Sequence, residues 1–140
     1  MIQKLSHASI YVLDQDAAKT FYTEKLGFEV KMDVTLGNFR WLTVAPKGQQ
    51  DLEIILMPVG AMPNTEPEIR ESMIRLLAAG KMPGGVFYTA DCRATYEELK
   101  AKGVEFVQPP VDRPYGVEAV LKDPFGNWFS MTQPKPMPSR

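Results

Sequence analysis

The chain has 140 residues, 44% of them hydrophobic, and its 16 basic and 17 acidic residues leave a net charge of −1. The basic residues are scattered, so no broad positive field favours a phosphate backbone and nucleic acid is excluded as an expected partner. No apolar run approaches membrane-spanning length, and MIQKLSHASI has no apolar stretch before a small-residue cleavage site; a cytoplasmic protein with no membrane partner is expected.

A strand is predicted at Lys4 to Leu13, where Leu5, His7, Ser9 and Tyr11 take one face and the more apolar Ala8, Ile10 and Val12 the other. Asp14 or Asp16 caps a helix with the stripe Ala18, Phe21, Tyr22 and Leu26, and Gly27 ends it. Strands follow at Phe28 to Thr35, Phe39 to Ala45 and Leu52 to Met57, separated by the turns Leu36-Gly37-Asn38 and Pro46-Lys47-Gly48. Within Pro58 to Pro83, Thr65 and Glu68 form a capping box, and Ile69, Met73, Leu76 and Leu77 give a helix at about 66 to 79 that stops at Gly80.

From there the order repeats: a strand at Val86 to Ala90, a helix from Cys92 to Lys102 ended by Gly103, and strands at Val104 to Val107, Gly116 to Lys122 and Trp128 to Thr132. The repeat is visible residue against residue, since at an offset of 77 Asp14 falls on Asp91, His7 on Gly84 and Glu53 on Ser130. The class is therefore α+β, two βαβββ modules with helices outside. One domain over residues 1–140 is expected, comprising module 1 (1–58), a connecting helical segment (59–83), module 2 (84–132) and an extended, proline-rich tail (133–140). A repeat of this size is marginal alone.

Cys92 is the only cysteine, which excludes an internal disulfide and suits a reducing compartment. A helix N-terminus lowers a thiol pKa, but the only histidine, His7, lies in the other module, so a Cys–His nucleophile is not expected. The glycines of Met82-Pro83-Gly84-Gly85 do not lead from a predicted strand into a nucleotide-binding helix and read as linker punctuation.

The strand ending in Asp, the helix reading FYTEKLGF and the late DPFGNWF resemble the vicinal oxygen chelate superfamily, the fold of glyoxalase I, bleomycin and fosfomycin resistance proteins and extradiol dioxygenases. The resemblance covers most of residues 1 to 132, and it speaks for the fold and not for a reaction. It implies a curved mixed sheet from each module, the sheets facing one another around a cleft made within one chain or across a homodimer. It also implies that the first strand lies beside the fourth, which puts His7 and Glu53 side by side facing inward. Glyoxalase-like members complete a divalent-metal shell with two residues of the second module, at positions held here by Gly84 and Ser130, neither of which supplies an imidazole or a carboxylate.

Three readings of His7 and Glu53 stay open: a hydrogen-bonded cross-strand pair, a ligand-orienting or acid–base pair without metal, and metal ligands helped by Glu118, whose alternation with Val117 and Ala119 aims it into the same space. Tyr11, Trp41, Tyr88, Trp128 and Ser130 fall on the inward phase with Ser9, Thr43 and Ile55, a lining suited to a small ring-containing or apolar ligand. Arg113 and Tyr115 in VDRPYG either close over the mouth and meet an anionic group or form a solvated turn. The expected function is small-molecule binding without a tightly bound metal. A metal-dependent lyase or dioxygenase, and a structural or protein-interaction module, are the alternatives.

Overall fold

A computed structural model describes residues 1–61 and 65–136, and the chain forms two compact units, Met1–Leu76 and Leu77–Arg140, whose boundary falls inside the connecting helix. The first unit holds β1 (His7–Val12), α1 (Gln15–Thr20), β2 (Glu29–Leu36), β3 (Phe39–Ala45) and β4 (Glu53–Pro58). Its sheet runs β1-β4-β3-β2, with β1 parallel to β4 and the other neighbours antiparallel. Asp14 is the cap of α1, its carboxylate accepting from the Ala17 N–H at 3.0 Å. The predicted single helix instead changes pitch, passing into a π turn over Phe21–Lys25 before Gly27 (φ 75°) ends it. Ile10, Val12, Leu42, Val44, Ile54 and Leu56 alternate onto the helix-bearing face and are buried, as are Ala18, Phe21 and Tyr22 of the helical segment.

A charged cluster ties α1 to the β2–β3 hairpin. Arg40 donates through Nε and Nη2 to both Asp33 oxygens at 2.8 and 2.9 Å and through Nη1 to Asp16 at 2.7 Å, while Lys19 donates to Asp33 at 2.9 Å. These donors, Arg40 first, hold the Asp33 carboxyl far below the usual carboxylate range.

The connecting helix α2 (Pro67–Ala78) starts with proline in its first turn, and its opening bond runs from the Arg70 N–H to the Glu66 carbonyl at 3.0 Å. The cap position is thus Glu66, one residue beyond the predicted Thr65 box, because Pro67 fits the first helical position and sets the start. The second unit contains β5 (Pro83–Tyr88), α3 (Cys92–Ala101), β6 (Glu105–Arg113), β7 (Gly116–Lys122) and β8 (Trp128–Pro134), in the sheet order β5-β8-β7-β6 with β5 parallel to β8. Asp91 caps α3 as Asp14 caps α1. The helix-bearing face of this sheet buries Ala119, Leu121, Phe129 and Met131; Phe87 stacks on Phe129 at 4.4 Å and Tyr96 meets Phe106 edge-on at 4.6 Å.

β5 begins at Pro83, so Pro83, Gly84 and Gly85, read as linker from the sequence, are strand residues, and two other strands run two or more residues past their predicted ends. β6 continues through Pro109 and Pro110 because it is an edge strand, where a missing N–H costs no ladder bond, and its register slips there. β8 runs on to Pro134, taking in the first residues of the predicted tail, whose last four (137–140) lie outside the described residues.

The turn before β8 is built on one carboxylate. Asp123 Oδ1 accepts from the backbone N–H groups of Phe125, Gly126 and Asn127 at 2.9, 3.0 and 2.9 Å, and Oδ2 accepts from Asn127 Nδ2 at 2.8 Å, with Asp123 and Asn127 both buried. Gly126 (φ 111°) is obligatory there, since a Cβ would lie 1.8 Å from the Leu77 carbonyl oxygen.

Asp123→Ala removes four hydrogen bonds from a buried turn at once, so urea unfolding is expected to show a loss of about 3 kcal/mol or more; a loss within error of zero would refute the role of the turn. Asp33 has a folded pKa below its unfolded one, so the stability it contributes is complete above about pH 4 and lost as the pH falls further. The stability gap between the wild type and Arg40→Ala should accordingly narrow on acidification below pH ~4 in thermal melts.

Candidate functional site

Each sheet has a second face that carries no helix of its own unit. In the first unit the parallel register aligns His7 with Glu53, Ser9 with Ile55 and Tyr11 with Met57, and the antiparallel register adds Thr43 beside Ile55. Two-residue alternation then brings Trp41 and Phe39 of β3 onto the same face. His7 and Glu53 are cross-strand neighbours as expected, His7 Nε2 lying 3.9 Å from Glu53 Oε1. Neither is deeply buried, with side chains 35% and 33% exposed. Glu53 Oε1 also accepts from the buried Thr43 hydroxyl at 2.6 Å, and His7 Nδ1 pairs with the Ser6 hydroxyl at 2.9 Å. The His7 and Trp41 ring centroids are 5.7 Å apart and those of Trp41 and Phe39 6.3 Å apart, giving an aromatic row against the polar pair.

The corresponding face of the second sheet carries Val86 and Tyr88 of β5, Trp128, Ser130 and Thr132 of β8, and Glu118 and Val120 of β7. Tyr88 is the most open of these at 76% exposure; Trp128 is half-buried, and Ser130 and Thr132 are buried. Glu118 is the hub of this face. Its Oε2 accepts from the Ser130 hydroxyl at 2.5 Å and its Oε1 from the Tyr115 hydroxyl at 2.8 Å, with Arg113 Nε 3.7 Å from Oε1. Ser130 and Thr132 share a hydrogen bond of 2.9 Å, and Arg113 Nη2 donates to Gln108 Oε1 at 3.2 Å. The hydrogen bond to the Glu118 carboxylate raises the Tyr115 pKa above that of a free tyrosine, because it favours the neutral phenol and the nearby negative charge opposes ionisation.

The sequence repeat misassigned two register positions. The loop before β4 spans seven residues (46–52) and the turn before β8 spans five (123–127), so Ser130 takes the place of Ile55, and Glu53 corresponds to Trp128. Gly84 is not the counterpart of His7 in orientation either: the register of β5 shifts between Pro83 and Gly85, and a Cβ on Gly84 would lie 2.3 Å from the Phe129 ring on the helix-bearing face. Thr132 and Gln108 were missed. The two-residue step from Ser130 would have found Thr132, whereas Gln108 follows an irregular stretch of β6 that no periodicity locates.

The donor set does not fit a divalent-metal centre of the usual kind. His7 and Glu53 supply two ligands where a catalytic zinc site needs three; Ser130 spends its proton on Glu118, and Glu118 is engaged by Tyr115 and Ser130. Within either unit, among the described residues, no three His, Cys, Asp or Glu side chains gather in metal-holding geometry. Cys92 is buried at the start of α3 with its Sγ against the Met131 carbonyl at 3.5 Å, and burial pushes its pKa up, the reverse of an activated thiol. Among the described residues, no helix is long and apolar enough to cross a membrane.

Residues 4–131 match the model of the Glyoxalase/Bleomycin resistance protein/Dioxygenase superfamily. The chain belongs to that superfamily. It is 40% identical over 131 residues, 93% of this chain and 98% of its relative, to the uncharacterised protein YurT of Bacillus subtilis (strain 168). Among solved structures it is similar to UcmS2, with 51% identity, a TM-score of 0.90 and coverage of 95% and 99% of the two chains. It is also similar to TnmS3, an antibiotic binding protein from Streptomyces sp. CB03234, at 32% identity, TM-score 0.76 and coverage of 96% and 98%. The two four-stranded mixed sheets with helices are the architecture of this superfamily.

Because the folded protein favours the protonated Tyr115, the stability this bond contributes is complete below about pH 10 and is lost as the pH rises through the higher folded pKa. Ultraviolet difference titration, with Tyr115→Phe identifying the signal, should show the Tyr115 midpoint moving down in Glu118→Gln. An unmoved midpoint would mean that the carboxylate does not hold the phenol in solution.

Proposed function

We propose that this superfamily member is a small-molecule binding module that takes a partly aromatic or apolar ligand on the helix-free faces of its sheets, without a tightly held metal. One observation carries the reading: the half-buried aromatic row His7, Trp41 and Phe39 stands beside a carboxylate, Glu53, that is fixed by Thr43 and still partly open to solvent. Flat rings with a few fixed polar groups suit recognition of a ring system carrying one or two polar substituents. The similarity to an antibiotic binding protein supports sequestration of such a molecule over its chemical conversion. Tyr11, Tyr88, Trp128 and Ser130 extend the same chemistry on their strands. His7 and Glu53 orient the ligand in this reading, and the two-ligand donor set speaks against a metal-dependent lyase or dioxygenase. A cytoplasmic homodimer is the form we propose, since the sheets have edge strands to cover.

Titration of a panel of substituted naphthalenes is expected to quench tryptophan fluorescence and to raise the melting temperature with occupancy. Trp41→Phe should remove most of the quench, and Glu53→Gln should weaken binding about threefold to tenfold. No quench and no stabilisation across the panel would overturn the reading. Elemental analysis showing one metal per chain, lost in both His7→Ala and Glu53→Ala, would replace it with the metalloenzyme.

A further inference from the structure

Arg113 and Tyr115 converge on one oxygen of Glu118, yet only one of them bonds it. The Tyr115 hydroxyl sits 2.8 Å from Oε1, and Arg113 Nε is 3.7 Å from the same atom, beyond hydrogen-bond distance. Arg113 Nε is shielded from solvent and has no hydrogen-bond partner among the described residues. Such a donor is costly, and native proteins keep it only when something else completes it or uses it. The rest of the cluster is held by hydrogen bonds. Ser130 holds Oε2 at 2.5 Å, Gln108 holds Arg113 Nη2 at 3.2 Å and bonds the Glu118 carbonyl through its own Nε2 at 3.3 Å, and the Lys135 N–H fixes the Tyr115 carbonyl at 3.0 Å. The movable part is the Tyr115 side chain, which is exposed at the tip of the β6–β7 hairpin.

We infer that Tyr115 is a ligand-recognising donor released by exchange: a ligand with a carbonyl-type acceptor on an aromatic ring takes the Tyr115 hydroxyl, and Arg113 Nε closes onto the freed side of Glu118 Oε1. The exchange keeps Glu118 satisfied and gives Arg113 the partner it lacks, replacing a phenol–carboxylate bond by a charge-assisted guanidinium one. Tyr115 therefore reaches its ligand at little hydrogen-bond cost to the protein. The specificity that follows is for an acceptor on the ligand, not for a cation, because the donors of the cluster outnumber its free acceptors. This inference rests on the reading of the helix-free face as a ligand surface.

Two measurements test it on the intact protein. Without ligand, Tyr115→Phe should move the Arg113 Nε–H resonance downfield and slow its exchange with water in proton–nitrogen correlation spectra, while Arg113→Gln identifies the signal. An unmoved resonance overturns the exchange. With ligand, 2-acetylnaphthalene and 2-isopropenylnaphthalene form a planar pair in which a methylene group replaces the carbonyl oxygen. The wild type is expected to bind the ketone about fivefold more tightly than the hydrocarbon, and Tyr115→Phe and Arg113→Gln should each reduce that ratio towards one without weakening the hydrocarbon. If both probes bind with the same ratio in all three proteins, the inference fails and the binding function stands; if neither binds, the function fails and takes the inference with it.

Discussion

In each unit the parallel pairing of the outer strand with the last strand, β1 with β4 and β5 with β8, decides what every other residue can do. A parallel pair cannot be closed by a short hairpin, so the intervening chain has to supply a crossover. In this fold the crossover supplies a helix and two further strands, which fill one face of the sheet and complete its width. Because side chains alternate, one face is committed to the helix and the other is left for chemistry. A slip of one residue in the β1–β4 register would send His7, Ser9 and Tyr11 to the core and Ile10 and Val12 outward. The apolar demand of the helix-bearing face therefore fixes the polar geometry of the other, and the His7–Glu53 pair is positioned by the burial of Ile10, Val12, Ile54 and Leu56 on the opposite side.

The same constraint explains why the two units diverge. Their outer frames match, down to the aspartate that caps each helix at the end of the first strand. Their faces do not, because the loops entering the last strands differ in length and the Asp123 turn holds the shorter one closed with four hydrogen bonds on a single side chain. That turn places Trp128 in the backbone position of Glu53, and the irregular start of β5 turns Gly84 toward Phe129. The first unit keeps an aromatic row with a histidine–carboxylate pair. The second builds its polar centre one strand further in, around Glu118.

Architecture was legible because it rests on signals with a period. Alternation located β3 and β7 to the residue, and the capping aspartates and the glycines at 27 and 103 bounded two helices. The boundaries that moved had local causes outside those periods: Pro67 starting α2, edge-strand tolerance of Pro109 and Pro110, and a π turn that shifts the pitch after α1. At the site, the adjacency of His7 and Glu53 was expected from the strand order that the family resemblance implies, and the β1–β4 register sets it. The Glu118 network could not, because it joins β6, β7, β8 and the hairpin tip through side-chain reach. A residue-by-residue repeat carries no information on a loop shortened by two.

The contrast between the two carboxylates then bears on what kind of chemistry this face supports. Glu53 has one strong donor, Thr43, and a histidine at a loose 3.9 Å, so acceptor capacity is left on a carboxylate that is a third exposed. Glu118 has two short hydroxyl donors and an arginine waiting behind one of them. Each oxygen of Glu118 thus already accepts a hydroxyl hydrogen bond within its own unit. The first unit therefore presents a carboxylate still open to a new donor, and the second a carboxylate held on both oxygens.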